Sequence, residues 1–289
     1  MPVRFGYNPQ TAANNTFQKE GFEEKAQENA LREFTTYASL LKANKVEVVI
    51  AEDTEVPYTP DSIFPNNWFS THEDGTLVLY PMFAVNRRNE RKSEFLESIR
   101  RNFEVKRLID LTWWESENQF LEGTGSMIFD RENKIAYAGR SPRTCEPVIA
   151  DFCKQMGYTA VIFDAYDQNG ALIYHTNVMM SVGTKFAVIC LSAITDEQQR
   201  QAVVESLERT GKKVIDISFE QMNNYAGNML ELKTSDGKPI LVMSSTARKS
   251  ITPEQAKELS SYYKLLSPGL DYIENNGGGS ARCMLAEIF

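Results

Sequence analysis

A strand–strand–helix–strand pattern recurs along this 289-residue chain, and no other feature constrains the fold as tightly. The clearest copy runs from Ser126 to Phe163. Residues 127–130 (MIFD) and 135–139 (IAYAG) read as a hairpin joined by RENK. A helix follows from Glu146 to Met156, closed by Gly157, and 159–163 (TAVIF) reads as a buried strand. The next copy has strands at 178–182 and 186–190, joined around Gly183. It continues with a helix opened by a Thr195–Gln198 capping box and closed by Gly211, then a strand at 213–217. A third copy has strands at 229–233 and 239–243 and a helix opened by the Thr252–Gln255 capping box with Pro253 at its first position. The strand expected to end it is 270–274 (LDYIE). An earlier copy runs through 68–71, 76–81, a charged helix around Arg88 to Arg101, and 104–108.

The fifth copy is divided between the two ends of the sequence. Residues 283–289 and 3–7 supply its first two strands. A helix from about Phe22 to Lys42, apolar at 22, 26, 30, 34, 37 and 41, is followed by a strand at 46–50. The expected architecture is therefore α/β: a pseudo-fivefold propeller of ββαβ blades forming one domain over 1–289, closed by pairing the N- and C-terminal strands so that no free sheet edge remains at the join.

Each copy carries unusual residues just before its first strand. They are Pro65-Asn66-Asn67, Glu122-Gly123-Thr124-Gly125-Ser126, His175-Thr176-Asn177, Ala226-Gly227-Asn228 and Ser280-Ala281-Arg282-Cys283. In a ring of blades these equivalent positions converge near the axis, and polar segments meeting between apolar walls describe a small-molecule site. Cys283 follows the loop Asn275-Asn276-Gly277-Gly278-Gly279-Ser280. Glycines there let backbone approach a ligand and leave N–H groups to meet developing negative charge. The shared register selects Cys283 as nucleophile over Cys145, Cys153 and Cys190, which read as structural. His175 is the natural proton partner for a thiol. His72, in the turn Thr71-His72-Glu73-Asp74-Gly75, reads as solvated. Glu122 either orients His175 or holds a substrate N–H. The Gly-x-Gly after it lacks the third glycine of a nucleotide loop. Asn66, Asn67 and Asn177 suit recognition by neutral amides. Arg140 and Arg143 either grip a substrate carboxylate or sit in a solvated loop. Asp61, Tyr174, Asn228 and Arg282 complete the surroundings.

Composition removes other classes. A formal charge of −8 is wrong for nucleic acid or anionic membranes, and no apolar run is long enough to span a bilayer. Four cysteines without a CxxC pair make neither a disulfide framework nor a zinc site. With no basic-then-apolar leader in MPVRFGYNPQ, a cytoplasmic protein with reduced thiols is expected. It would act on a small molecule and need neither metal nor organic cofactor, and homo-oligomerisation is left open.

At LEGTGS (Glu122), YHTNVMM (His175) and NGGGSARCM (Cys283) the chain resembles the guanidino-group modifying superfamily of arginine deiminases, dimethylarginine hydrolases, agmatine deiminases and amidinotransferases. The resemblance extends over essentially the whole chain. It implies the five-bladed pentein fold and a catalytic Cys, His and acidic residue. Two departures bear on substrate. Asn66-Asn67 stands where dimethylarginine hydrolases carry a Glu-Asp pair, and His175-Thr176-Asn177 stands where deiminases carry His-x-Asp. The lost carboxylates would have paired a guanidinium, whose burial without them is costly. A neutral ureido group is satisfied by amides. The pattern is similar to the citrulline-utilisation hydrolases, which implies citrulline as substrate and ornithine, carbon dioxide and ammonia as products. The alternatives are a deiminase or dihydrolase acting on arginine or a derivative, and a non-catalytic binding protein of the same fold.

Overall fold

The computed structural model of the protein describes residues 5–19 and 25–289, with residue 102 described by its backbone alone. Four three-stranded sheets follow one another along the chain. The first contains β1 (Phe69–Thr71), β2 (Thr76–Leu79) and β3 (Arg107–Asp110). The second contains β4 (Ile128–Asp130), β5 (Ile135–Gly139) and β6 (Thr159–Phe163). The third contains β7 (Met180–Val182), β8 (Phe186–Ile189) and β9 (Lys213–Asp216). The fourth contains β10 (Leu230–Lys233), β11 (Pro239–Val242) and β12 (Lys264–Leu266). In each sheet the first two strands are antiparallel, as a hairpin requires, and the third runs parallel to the second after a helical crossover.

The crossover helices are Ser93–Asn102, Glu146–Met156, Glu197–Arg209 and Pro253–Tyr262. Glu146–Met156 shows why they stand where they do. Val148, Ile149, Phe152 and Met156 fall on one helical face and are buried with Ala136 and Ala138 of the adjacent sheet. Gly157, at φ 71°, ends the helix in the left-handed conformation glycine tolerates. The Thr252 capping box forms as read from the sequence, with Pro253 inside it.

The structure departs from the sequence reading in several places. Residues 270–274 are not a strand: Asp271–Gly277 is a helix capped by Gly278 at φ 65°, and the strand closing that unit is β12. The third crossover helix is capped by Asp196, which accepts from Gln199 N, so the box does not start at Thr195. His72 is buried, because its ring packs among Phe129, Phe152 and Tyr158 while Nε2 meets Ser70 Oγ at 3.0 Å.

The fifth unit is present without a sheet among the described residues. Its helix is Ala26–Ala43; Phe22 and the first part of 3–7 lie outside the described residues. Residues 46–50 and 283–289 form no strand ladder. They are nevertheless anchored to both neighbours. Val46 and Val48 pack with Ile240 and Val242, and Ser235 N donates to Lys45 O (2.8 Å). Ala286 and Ile288 pack with Trp68 and Phe69, and Thr71 Oγ1 donates to Glu287 O (2.8 Å). No described helix is long and apolar enough to cross a membrane.

Candidate active site

Between each crossover and the next sheet the chain makes a tight turn, and these turns carry the polar residues. Pro65–Asn67 is a single 3-10 turn before β1. Gly123–Ser126 and Thr176–Met179 are one-turn helices before β4 and β7, where the sequence suggested direct entry into strands. A turn at these points aims the preceding side chain inward, which places Glu122 and His175 side by side. The Glu122 Oε2–His175 Nε2 distance is 2.7 Å, with both residues buried.

Burial alone would raise the Glu122 carboxyl. The Arg143 guanidinium (Nη1 at 3.4 Å) and the bond to His175 outweigh it and hold Glu122 far below the ordinary carboxylate range. Burial pushes His175 down to about 4, against the pull of Glu122. Glu122 is therefore anionic and His175 neutral at pH 7. Nε2 carries the proton that is donated to Glu122, which leaves Nδ1 as the free base. Glu122 Oε1 accepts from Phe83 N at 3.0 Å, so both oxygens are occupied and the residue orients His175; it does not face the cavity.

Cys283 Sγ accepts hydrogen bonds from two amides, Asn177 Nδ2 (3.3 Å) and Asn228 Nδ2 (3.2 Å). Both donors come from the repeated register. Burial pushes the Cys153 and Cys190 thiols up to about 11.

Asn66 and Asn67 part company. The Asn66 amide, turned to satisfy its neighbours, donates to Cys283 O (2.7 Å) and accepts from Arg282 Nη1 (3.1 Å); it supports the backbone of Cys283 and does not line the cavity. Asn67 does line it. Its Oδ1 is taken by Arg87 Nη1 at 2.8 Å, which leaves Nδ2 as a buried donor without a partner. A Cβ on Gly125 would lie 2.4 Å from that Nδ2 and 2.9 Å from His175 Nδ1, so only glycine leaves room for both groups.

The cavity walls include Cys283, His175, Asn67, Asp61, Arg87 and Arg143. Arg143 stacks over the Tyr174 ring (5.0 Å) and donates to Thr11 O (2.8 Å) and to Asn14. Arg140 turns elsewhere and pairs with Glu146 and Asp164 outside the cavity. Arg87, just before the charged helix that the sequence reading put around Arg88 to Arg101, is buried; it pairs with both oxygens of Glu90 (2.7 and 2.9 Å) and lies 3.9 Å from Asp61. Asp61 accepts from Asn8 Nδ2 (2.7 Å), Thr11 Oγ1 (2.9 Å) and Gln18 Nε2 (3.3 Å). The segment around 8–18 thus roofs the site. Gln18 and Asn15 also donate to Gly277 O and Gly278 O of the glycine loop. The space left is about 20 Å³, enough for one water. Among the described residues no cluster suits a metal ion.

All of the sequence, residues 1–289, matches the protein family described as N,N dimethylarginine dimethylhydrolase, eukaryotic. Several solved structures are similar, among them the following three. ArgZ, an arginine dihydrolase from the ornithine-ammonia cycle in cyanobacteria, has a TM-score of 0.77 at 16% identity, covering 100% of this chain. The chain spans only 40% of that protein. A cysteine mutant of AgrE with L-arginine has a TM-score of 0.76 at 17% identity, over 98% of this chain and 38% of that one. A cysteine mutant of dimethylarginine hydrolase from Pseudomonas aeruginosa, complexed with citrulline, has a TM-score of 0.67 at 13% identity, over 97% and 96%. At such identities the likeness establishes a shared fold, the α/β pentein fold. No curated protein matches the chain.

Proposed function

The chain belongs to the N,N-dimethylarginine dimethylhydrolase family, hydrolases acting on carbon–nitrogen bonds other than peptide bonds, and from that premise we propose that its substrate is citrulline, cleaved at the ureido carbon with Cys283 as nucleophile. The unpartnered Asn67 Nδ2 carries the choice of substrate. It needs an acceptor. A ureido oxygen is one, whereas a guanidinium offers only donors and would leave two donors opposed. Asp61 and Arg143 suit the other end of an amino acid, as a carboxylate for the ammonium and a fork for the carboxylate. The citrulline complex of the Pseudomonas relative supports this reading. The dihydrolase ArgZ and arginine-bound AgrE favour arginine as the second reading.

In this scheme the Cys283 thiolate adds to the ureido carbon and the oxygen takes up charge facing Asn67 Nδ2. His175 Nδ1 takes the thiol proton of Cys283 as sulfur adds and passes it to the departing nitrogen, so that one C–N bond breaks and a carbamoyl group stays on sulfur. His175 then takes a proton from water, which displaces sulfur. The carbamic acid so formed loses its remaining C–N bond to give carbon dioxide and the second amine, so that one water is consumed and ornithine, ammonia and carbon dioxide are released. Arg143, Asp61 and Asn67 bind; Asn177 and Asn228 position the sulfur; Asn66 holds its backbone. The unit formed by the two ends of the sequence closes the ring as a fifth blade in this reading, and the whole chain acts as one domain.

Amino-acid analysis after separate incubation with L-citrulline and L-arginine tests the proposal. Ornithine from citrulline with arginine unchanged is expected. Citrulline or ornithine produced from arginine alone would replace the ureido reading with the dihydrolase one.

A further inference from the structure

A second cavity of about 1100 Å³ shares no wall residue with the catalytic one. It lies on the other side of the same chain segments: Ile63, Pro65, Arg282 and Met284 face it, whereas Asp61, Phe64 and Cys283 face the catalytic pocket. Its walls are largely apolar, with Phe69, Ile99 and Met229 among them.

Most of its charged groups have partners or reach solvent: Glu231 accepts from Thr184 and from the Tyr263 hydroxyl, and Lys233 is exposed. Lys212 pairs with Asp130 (3.1 Å) and Arg131 with Glu287 (3.2 Å). Glu47, Glu73 and Glu132 are exposed, at the rim. Arg282 is 5% exposed, and among the described residues no carboxylate lies within ion-pair distance of it; Glu287, already paired with Arg131, attracts it only from farther away. Its Nη1 is held by Thr124 Oγ1 (3.0 Å) and by the Asn66 amide, and among the described residues no hydrogen bond engages Nε or Nη2. A buried, uncompensated guanidinium is costly, and proteins rarely retain one. Ser181 Oγ, on the same walls, is also buried without a partner. An unpaired cation and an idle hydroxyl within an apolar cavity share one complement, a small acid with a hydrocarbon body.

We propose that this cavity is a binding site for a small amphipathic carboxylate whose head pairs with Arg282 and whose chain lies along the apolar walls. Arg282 precedes the proposed nucleophile, and its N–H donates to Asn228, which also donates to Cys283 Sγ. An occupant is therefore in contact with the backbone that carries the sulfur.

The test is calorimetric titration of the full chain with octanoate, beside octanol, which has the same tail and no charge. Octanoate is expected to bind at least about tenfold more tightly than octanol, the worth of one charge-assisted contact. Arg282→Gln, checked for folding by its thermal melt, is expected to abolish that difference. Should the variant fail to fold, the octanoate–octanol comparison on the unaltered protein decides alone. Equal binding of the two ligands, undiminished octanoate binding by a folded Arg282→Gln, or no binding at millimolar octanoate would each overturn the proposal. None of these outcomes depends on citrulline being the substrate.

Discussion

Asn67 and Gly125 illustrate how much of a pocket's selectivity rests on single atoms. Replacing Asn67 with Asp exchanges the idle donor for a carboxylate beside Arg87 and His175. Asn67→Asp is expected to lower kcat/KM for citrulline by about tenfold or more and to move relative preference toward arginine, since the new group favours a cation over a ureido oxygen. Paired kinetics on the two substrates measure this; an unchanged preference would remove Asn67 from the selectivity argument. Gly125→Ala drives a methyl group into Asn67 Nδ2 and His175 Nδ1. A loss of turnover on the order of a hundredfold is expected, as for misplaced catalytic groups, with circular dichroism showing a folded chain. Much of this site was legible in the sequence. Cys283, His175 and Glu122 share a register, and the structure brings His175 onto Glu122 and lines one cavity with Cys283 and His175. Arg87 was not legible, because nothing in a run of charged residues separates it from Arg88. Nor could the sequence separate Asn66, which braces backbone, from Asn67, which faces the cavity: adjacent residues in a turn point different ways.

At the level of elements, the repeat was readable where turn chemistry and periodicity agreed. Glu146–Met156 and β6 lie where helix caps and apolar runs put them. Residues 270–274 misled because LDYIE fits two periods. The buried pair Leu270 and Ile273 is spaced for a helix, and Gly278 in the left-handed conformation marks where that helix stops. β12, only three residues long, gave too little pattern to compete. The Thr252 capping box offers a test separate from the active site. Thr252→Ala leaves the N–H of Gln255 without its acceptor and is expected to cost about 1 kcal/mol. The readout is the urea midpoint, with kcat unaffected; a loss below about 0.3 kcal/mol would show that Gln255, through its bond to Asp216 O, holds the helix start without the threonine.

For the molecule as a whole, its only two histidines each lower stability in acid, while Glu90, which burial raises to about 7, opposes them by holding a proton in the folded state. Both histidines are buried, and burial pushes His72 down to about 3 and His175 to about 4, from 6.5. Above 6.5 neither the folded nor the unfolded form carries these protons. Below it the unfolded chain takes them up and the folded chain refuses them. Their share of stability is therefore fully present above 6.5 and declines as pH falls through the window down to 4 and then 3, by about 1.4 kcal/mol per pH unit for each histidine. Urea unfolding at intervals from pH 7.5 to 5 measures the slope. His72→Gln, remote from Cys283, should remove one histidine's share of that fall, about 1.4 kcal/mol per pH unit, and an unchanged slope would mean that His72 takes up its proton as readily folded as unfolded. The roof formed by residues around 8–18 has a different consequence. Asn8 and Thr11 give Asp61 the donors that an ammonium would supply. Thr11 O and Asn14 give Arg143 the acceptors that a carboxylate would supply. For the proposed substrate, these contacts are an internal imitation of its amino-acid end. Entry becomes an exchange of partners in which neither buried charge is bare, and apparent affinity reports only how far the true ligand outbids the imitation.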